Sequence, residues 1–233
     1  MTVHILLTGA SRGIGAAIAA TLDAPGIRLA TQATTGPLAT DFNQPVAAPS
    51  LWQRALDALD GRIDVLINNA GVFEATPIDS SDAEWLAGWE RTMRINLTAA
   101  AELSRLAVLH WQGRESGGRI VNIASRAAHR GDSPAHWHYA ASKAGMVAMT
   151  KTIARAYAAQ GILAFSICPG FTMTGMAEEY LASRGGDKLL ADIPLGRVAM
   201  PDEVATMARF CALEAPASMT GAVLDVNGAS YVR

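Results

Sequence analysis

The apolar run Val3-His4-Ile5-Leu6-Leu7 opens directly into Thr8-Gly9-Ala10-Ser11-Arg12-Gly13-Ile14-Gly15, and an Ala-rich helical pattern follows from Gly13 to Leu22. A buried strand, a glycine turn and a helix N-terminus in immediate succession form the opening unit of a dinucleotide-binding fold. The glycines are spaced G-x-x-x-G-x-G. Missing Cβ atoms let the backbone approach a pyrophosphate, and the helix N-terminus offers N–H donors with a positive dipole end. An ordinary glycine-rich turn is the alternative. Its place directly after an N-terminal strand favours the phosphate reading.

The same alternation continues along the chain. Strands are expected at 26–34, 37–42, 63–67, 119–124, 163–168 and 222–226. Helical patterning covers 51–59, 82–114 and the stretch from Tyr139 to about Gln160, and Asp202 and Glu203 open another helix behind Pro201. Strands alternating with helices predict a Rossmann-type doubly wound parallel sheet with helices on both faces, in a single domain over residues 1–233. One irregularity stands out. The gap between the second and third expected strands is too short for a crossover helix, since parallel strands need a dozen or more residues between them. A helix is therefore expected to be missing there, with a loop covering that face. Residues 172–190 read as an irregular flap.

Several polar residues fall where such sheets bind ligands, at the carboxyl ends of strands. Ala33, Thr34 and Thr35 close the second strand without a carboxylate that would repel a 2′-phosphate, and Arg12 can reach the same region, which favours NADP(H) over NAD(H). Asn68-Asn69-Ala70-Gly71 ends one strand and Ser125 follows another. Asn96 interrupts an apolar helix, so it needs a hydrogen-bonding reason. Tyr139 and Lys143 are four apart, one turn on a helix face, where an ammonium would lower a phenol pKa. Alone that pair is a weak signal.

In order, Thr8-Gly9-x-x-x-Gly13-x-Gly15, Asn68-Asn69-Ala70-Gly71, Asn96, Ser125, Tyr139-x-x-x-Lys143 and Pro169-Gly170 closely resemble the short-chain dehydrogenase/reductase family, from about Val3 to Asn227. The local wording looks most like 3-oxoacyl-carrier-protein reductases. The resemblance implies hydride transfer between the cofactor and a ketone or secondary alcohol. Tyr139 would be the general acid/base, Ser125 the partner of the substrate oxygen, and Lys143 the holder of the nicotinamide ribose. Asn96 would hold a water that relays protons. The implied cofactor-binding set is Gly9, Ser11, Arg12, Gly13, Ile14, Gly15, Thr34, Asp41, Phe42, Asn69, Ala70, Gly71, Tyr139, Lys143, Pro169, Gly170, Thr172 and Thr174. A homotetramer or homodimer is implied as well. Carrier-protein reductases usually present basic residues where Glu115, Ser116 and Gln160 stand here, so a small free carbonyl or alcohol is the expected partner.

Ser125 and Tyr139 are separated by one residue more than the commonest family spacing, which predicts a bulged loop. That loop carries Arg126, His129, Arg130, Asp132, His136, Trp137 and His138. They read either as exposed polar residues or, for Arg126, His129 and Arg130, as a clamp for a polar or anionic substrate. An NAD-dependent dehydrogenase or epimerase, and a cofactor-binding regulator without activity, are the competing functions.

Half of the 233 residues are hydrophobic and the formal net charge is −2. Without a Lys/Arg run, a nucleic-acid or membrane-surface partner is not expected. No apolar run approaches membrane-spanning length, and the glycine turn arrives before a signal-peptide core could form. Cys168 and Cys211 sit in apolar settings away from any metal-ligand spacing and read as reduced, buried thiols. A cytoplasmic location and no metal are expected.

Overall fold

The computed structural model describes residues 2–174 and 186–233. In chain order the elements are β1 (Val3–Leu7), α1 (Gly13–Leu22), β2 (Ile27–Thr31), α2 (Ala47–Ala58), β3 (Val65–Asn68) and α3 (Asp82–Met93). A π-helical turn over Arg94–Thr98 leads into α4 (Ala99–Gly113), followed by β4 (Gly118–Ile123), α5 (Ala127–Arg130), α6 (Trp137–Tyr157) and β5 (Ile162–Pro169). The chain ends with α7 (Gly186–Ala191), α8 (Pro201–Leu213) and β6 (Val223–Val226). The strands form one parallel sheet in the order β2-β1-β3-β4-β5-β6.

The strands are apolar on both faces because both faces are covered. Leu6, Leu66, Ile120 and Ala164 point to one side and pack with Leu51 and Trp52 of α2, Leu103 and Trp111 of α4, and Ile153 of α6. Their neighbours Ile5, Leu7, Val65, Ile67, Val121 and Phe165 point to the other side, against Ile18 and Leu22 of α1 and Val204 and Ala208 of α8. Period-2 alternation thus distributes one apolar run between two cores. Capping fixes where helices begin. Ser81 and Glu84 form a reciprocal box at the start of α3, and Glu203 of α8 accepts from the Met200 N–H at 2.7 Å.

The region after β2 departs from expectation. Residues 37–42 form no strand, and β2 is an edge of the sheet. The absent crossover helix therefore comes with an absent strand, because the chain cannot return parallel over so short a gap. The period-2 pattern there is real all the same. Leu38, Thr40 and Phe42 are buried, and Leu38 and Phe42 reach the core under α2. A turning loop packs these alternate side chains without joining the ladder. Most of the expected flap, residues 175–185, lies outside the described residues, while Gly186–Ala191 is helical.

Candidate active site

The carboxyl ends of β1, β2 and β3 border an open groove of about 760 Å³. Its lining contains thirteen of the residues singled out above: Gly9, Ser11, Arg12, Gly13, Ile14, Gly15, Thr34, Asp41, Phe42, Asn69, Ala70, Gly71 and Thr174. The glycine turn is built for close approach. Gly9 adopts φ +70°, and a Cβ on Gly15 would lie 1.9 Å from the Gly9 carbonyl oxygen. Asn69 locks the turn, its amide donating to the carbonyls of Thr8 at 3.0 Å and Gly9 at 2.9 Å. Arg12 is exposed at the head of α1, and its guanidinium has no hydrogen bond or ion pair among the described residues. Asn68 does not face the groove. Its amide is buried and donates to Ser104 and Asn122.

Gln32 was missed by sequence reasoning. It directly follows β2, is buried, and lines the groove. Its Oε1 accepts from the Gly9 N–H at 2.9 Å, and its Nε2 donates to the carbonyls of Thr40 at 2.8 Å and Ala33 at 3.0 Å. One side chain thus ties the glycine turn to the loop that replaces the missing strand. A buried amide closing an apolar strand was the available signal.

At the other end of the groove, three elements converge on Gly71. A Cβ there would lie 3.3 Å from Asn96 Oδ1 and 3.6 Å from Lys143 Nζ. Asn96 sits in the π turn between α3 and α4. Its Oδ1 accepts from the Val72 N–H at 2.8 Å and its Nδ2 donates to the Val72 carbonyl at 2.9 Å. This is the hydrogen-bonding reason that a mid-helix Asn required, and the helix deforms to provide it. Lys143 is buried on α6 and donates from Nζ to the Ile123 carbonyl, at the end of β4, at 2.9 Å. Ser125 follows two residues later. Its Oγ accepts from the Ala127 N–H at 3.1 Å, and its side chain hydrogen-bonds the Tyr139 phenol. Lys143 Nζ stands 5.8 Å from the Tyr139 ring centroid.

Burial dominates the ionisation of both groups. It pushes the Tyr139 phenol up to about 12, opposed by the Ser125 hydrogen bond. It also lowers Lys143 to about 8. The expectation that Lys143 lowers the tyrosine pKa is corrected here, because desolvation outweighs every favourable neighbour. At neutral pH the phenol keeps its proton and the lysine is mostly charged.

Pro169 and Gly170 close β5, and Thr172 Oγ1 donates to the Gly170 carbonyl at 3.2 Å. These three, with Tyr139 and Lys143, are not part of the groove lining. The loop before Tyr139 turns at Gly131, which has φ +77°, and the Thr76 N–H anchors it through the Ala135 carbonyl at 2.8 Å. Two of its cations meet one carboxylate. Arg130 donates to Asp192 at 2.6 Å and to the Ser230 carbonyl at 3.2 Å, Arg126 faces the same Asp192 at 3.5 Å, and His129 stacks on Tyr231. His136 of this loop reaches the tyrosine through Phe73. It stacks on Phe73 at 3.9 Å, and Phe73 meets the Tyr139 ring edge-on at 4.8 Å.

Among the described residues no helix is long and apolar enough to cross a membrane. Both cysteines are free and buried.

The family profile described as enoyl-(acyl carrier protein) reductase matches residues 9–229. The chain is similar to the 3-oxoacyl-(acyl-carrier-protein) reductase FabG of Vibrio cholerae serotype O1, with 33% identity over 97% of this chain and 96% of the relative. It is also similar to the D-threitol dehydrogenase of Mycolicibacterium smegmatis, with 35% identity over 98% of this chain and 92% of the relative. Among solved structures, a 2-deoxy-D-gluconate 3-dehydrogenase candidate from Agrobacterium tumefaciens with bound NADP superimposes with a TM-score of 0.88 and 29% identity, over 99% of this chain and 97% of that one. The chain belongs to the short-chain dehydrogenase/reductase family of NAD(P)-dependent oxidoreductases.

Proposed function

We propose that this chain reduces a small free ketone to a secondary alcohol with NADPH, and runs the reverse oxidation, with Tyr139 as the general acid/base. The observation that carries the reading is the Ser125–Tyr139 hydrogen bond beside a buried Lys143, at the end of a groove headed by a glycine turn. The groove's chemistry fits a dinucleotide. A helix N-terminus and the exposed Arg12 suit its phosphates at one end, and Lys143 beside Gly71 suits a ribose at the other.

The bound nicotinamide supplies the hydride. Ser125 hydrogen-bonds the substrate carbonyl, steadying charge as it grows on that oxygen. Tyr139 holds a proton at Oη at neutral pH and gives it to the same oxygen as the alkoxide forms. Lys143 keeps a positive charge under the tyrosine and bonds the ribose hydroxyls. Asn96 acts on position: by clamping Val72 it holds the chain after Gly71 against the lysine. Preference for NADP(H) is supported by Arg12 and by the uncharged Ala33-Thr34 close of β2. Glu115, Ser116 and Gln160, where a carrier-protein partner would need cations, support a free substrate.

The test is NADPH oxidation across a panel of small ketones, polyol-derived ketones and acyl thioesters, run beside Tyr139→Phe. Turnover of a free ketone that disappears in the variant, while NADPH still quenches protein fluorescence, is the expected result. NADPH binding with no turnover of any ketone would instead make the chain a cofactor-binding regulator.

A further inference from the structure

A second group of reactive side chains lies where α5, β5 and β6 meet, and the proposed chemistry uses none of them. His129 on α5, Cys168 on β5 and Asp225 on β6 each offer one donor atom, and the three atoms lie within 4.8 Å of one another. Cys168 Sγ is 3.7 Å from His129 Nε2. Zinc bonds of about 2.3 Å to sulfur and about 2.0–2.1 Å to nitrogen, at a tetrahedral angle, place those two ligands about 3.6 Å apart. The pair already stands at that separation. Its members are also held in place. The His129 ring stacks on Tyr231 with an interplanar angle of 3°, and Arg233 Nε donates to Asp225 Oδ2 at 3.0 Å, as outer-shell donors orient the carboxylates and imidazoles of metal sites. One sulfur, one nitrogen and one oxygen donor suit zinc and its borderline-soft neighbours. Calcium and magnesium want oxygen alone.

We infer that His129, Cys168 and Asp225 form a three-ligand site for a zinc-class divalent cation, with a fourth position left to water. The ion fastens β5 and β6 to the segment that follows Ser125. Binding is not a redox step. The sulfur–metal bond forms as the thiol proton leaves to solvent, so one proton is released per ion and binding tightens as pH rises.

The experiment titrates the full chain, freed of any affinity tag, with Zn²⁺ in competition with a chromophoric chelator, and with Co²⁺ by absorption spectroscopy. The expected result is one Zn²⁺ per chain, with Cys168→Ala and His129→Ala each weakening it by at least about tenfold. Co²⁺ should show a thiolate-to-metal charge-transfer band that Cys168→Ala lacks. Because Cys168 is fully buried, its variant could fold poorly; the wild-type cobalt spectrum and the exposed Asp225→Asn, read for affinity and ellipticity together, then decide. The inference is overturned if wild type does not compete with the chelator, if Co²⁺ binds without the thiolate band, or if no ligand variant weakens binding. In those cases the Cys168–His129 contact is a thiol–imidazole hydrogen bond.

Discussion

Where Ser125, Tyr139 and Lys143 meet, each side chain leaves a regular element or its immediate end, and each is tied to another element. Lys143 reaches from α6 to the end of β4, Asn96 reaches from the π turn to Val72, and Ser125 bonds Tyr139. At the opposite end of the groove, Arg12, Thr34 and Asp41 stand on turns and a loop, and that loop is fastened to the glycine turn by the Gln32 side chain and to α2 by Arg54, which donates to the Ala39 carbonyl and to Thr40 Oγ1. The end proposed for chemistry is built on regular elements, whereas the end proposed for recognition rests on a loop held by side-chain hydrogen bonds. Substitutions at the first should therefore change the rate of the step. Those at the second should change affinity and the choice of cofactor, with the step itself almost untouched.

The largest effect should come from the first end. Tyr139→Phe removes the proton donor without opening a cavity and should lower kcat/KM by about 10²–10⁴-fold, with NADPH affinity nearly unchanged in a fluorescence titration. A variant within a few-fold of wild type would place the proton donor elsewhere. The same desolvated pair should set a pH limb. Reduction needs the Tyr139 proton, held up to about 12, and the Lys143 charge, lost through about 8. In a stopped-flow pH series, kcat/KM for ketone reduction should be flat on the acid side of 8 and fall as pH rises through it. A profile that holds to the ordinary lysine value of 10.5 would show that Lys143 is not desolvated in the free enzyme.

The contrast between the two ends also explains what could be read from the sequence. Motifs that obey a local rule were legible: the glycine turn with α1 at Gly13–Leu22, the i,i+4 pair on α6, and Asn96, whose polarity inside an apolar helix announced the deformation at Arg94–Thr98. Features decided by tertiary pairing were not. Residues 37–42 carry the burial alternation of a strand, with Leu38, Thr40 and Phe42 inside, yet pairing needs a chain long enough to return to the sheet edge. Burial alternation alone does not create a ladder. The partners of the loop before Tyr139 were hidden for the same reason. Arg126 and Arg130 look like substrate cations until the fold brings Asp192, more than sixty residues away, beside both. His136 gains its place near Tyr139 only through Phe73.

At the recognition end the effects should be smaller and of a different kind. Gln32→Leu leaves the Gly9 N–H and the Thr40 carbonyl without their partner, at a cost of about 1–3 kcal/mol in stability. In steady-state kinetics it should raise the KM for NADPH about tenfold while kcat stays within about threefold. An equal fall in kcat would mean that the two ends are mechanically coupled and would break the comparison. Arg12→Ala should remove the proposed charge-assisted contact to the 2′-phosphate, about 1.5–3 kcal/mol. The ratio of kcat/KM with NADPH to that with NADH should drop roughly 10–100-fold, with the NADH value unchanged. An unchanged ratio would remove Arg12 from cofactor choice.

The smallest effect tests whether the rebuilt loop also carries strain. Val46, which leads into α2, has φ +59° and is largely exposed, so its side chain makes little contact that would compensate for a left-handed backbone. A β-branched residue is poorly suited to that conformation, and glycine adopts it freely. The greater freedom of glycine in the unfolded chain takes back part of the gain. Val46→Gly should therefore stabilise the fold by roughly 0.5–1 kcal/mol in urea melts, and its kinetics with Tyr139 intact should match wild type. If stability falls instead, the Val46 turn is held by something other than backbone geometry. If kcat moves, then the loop after β2 reaches the chemistry, and the division between the two ends of the groove fails.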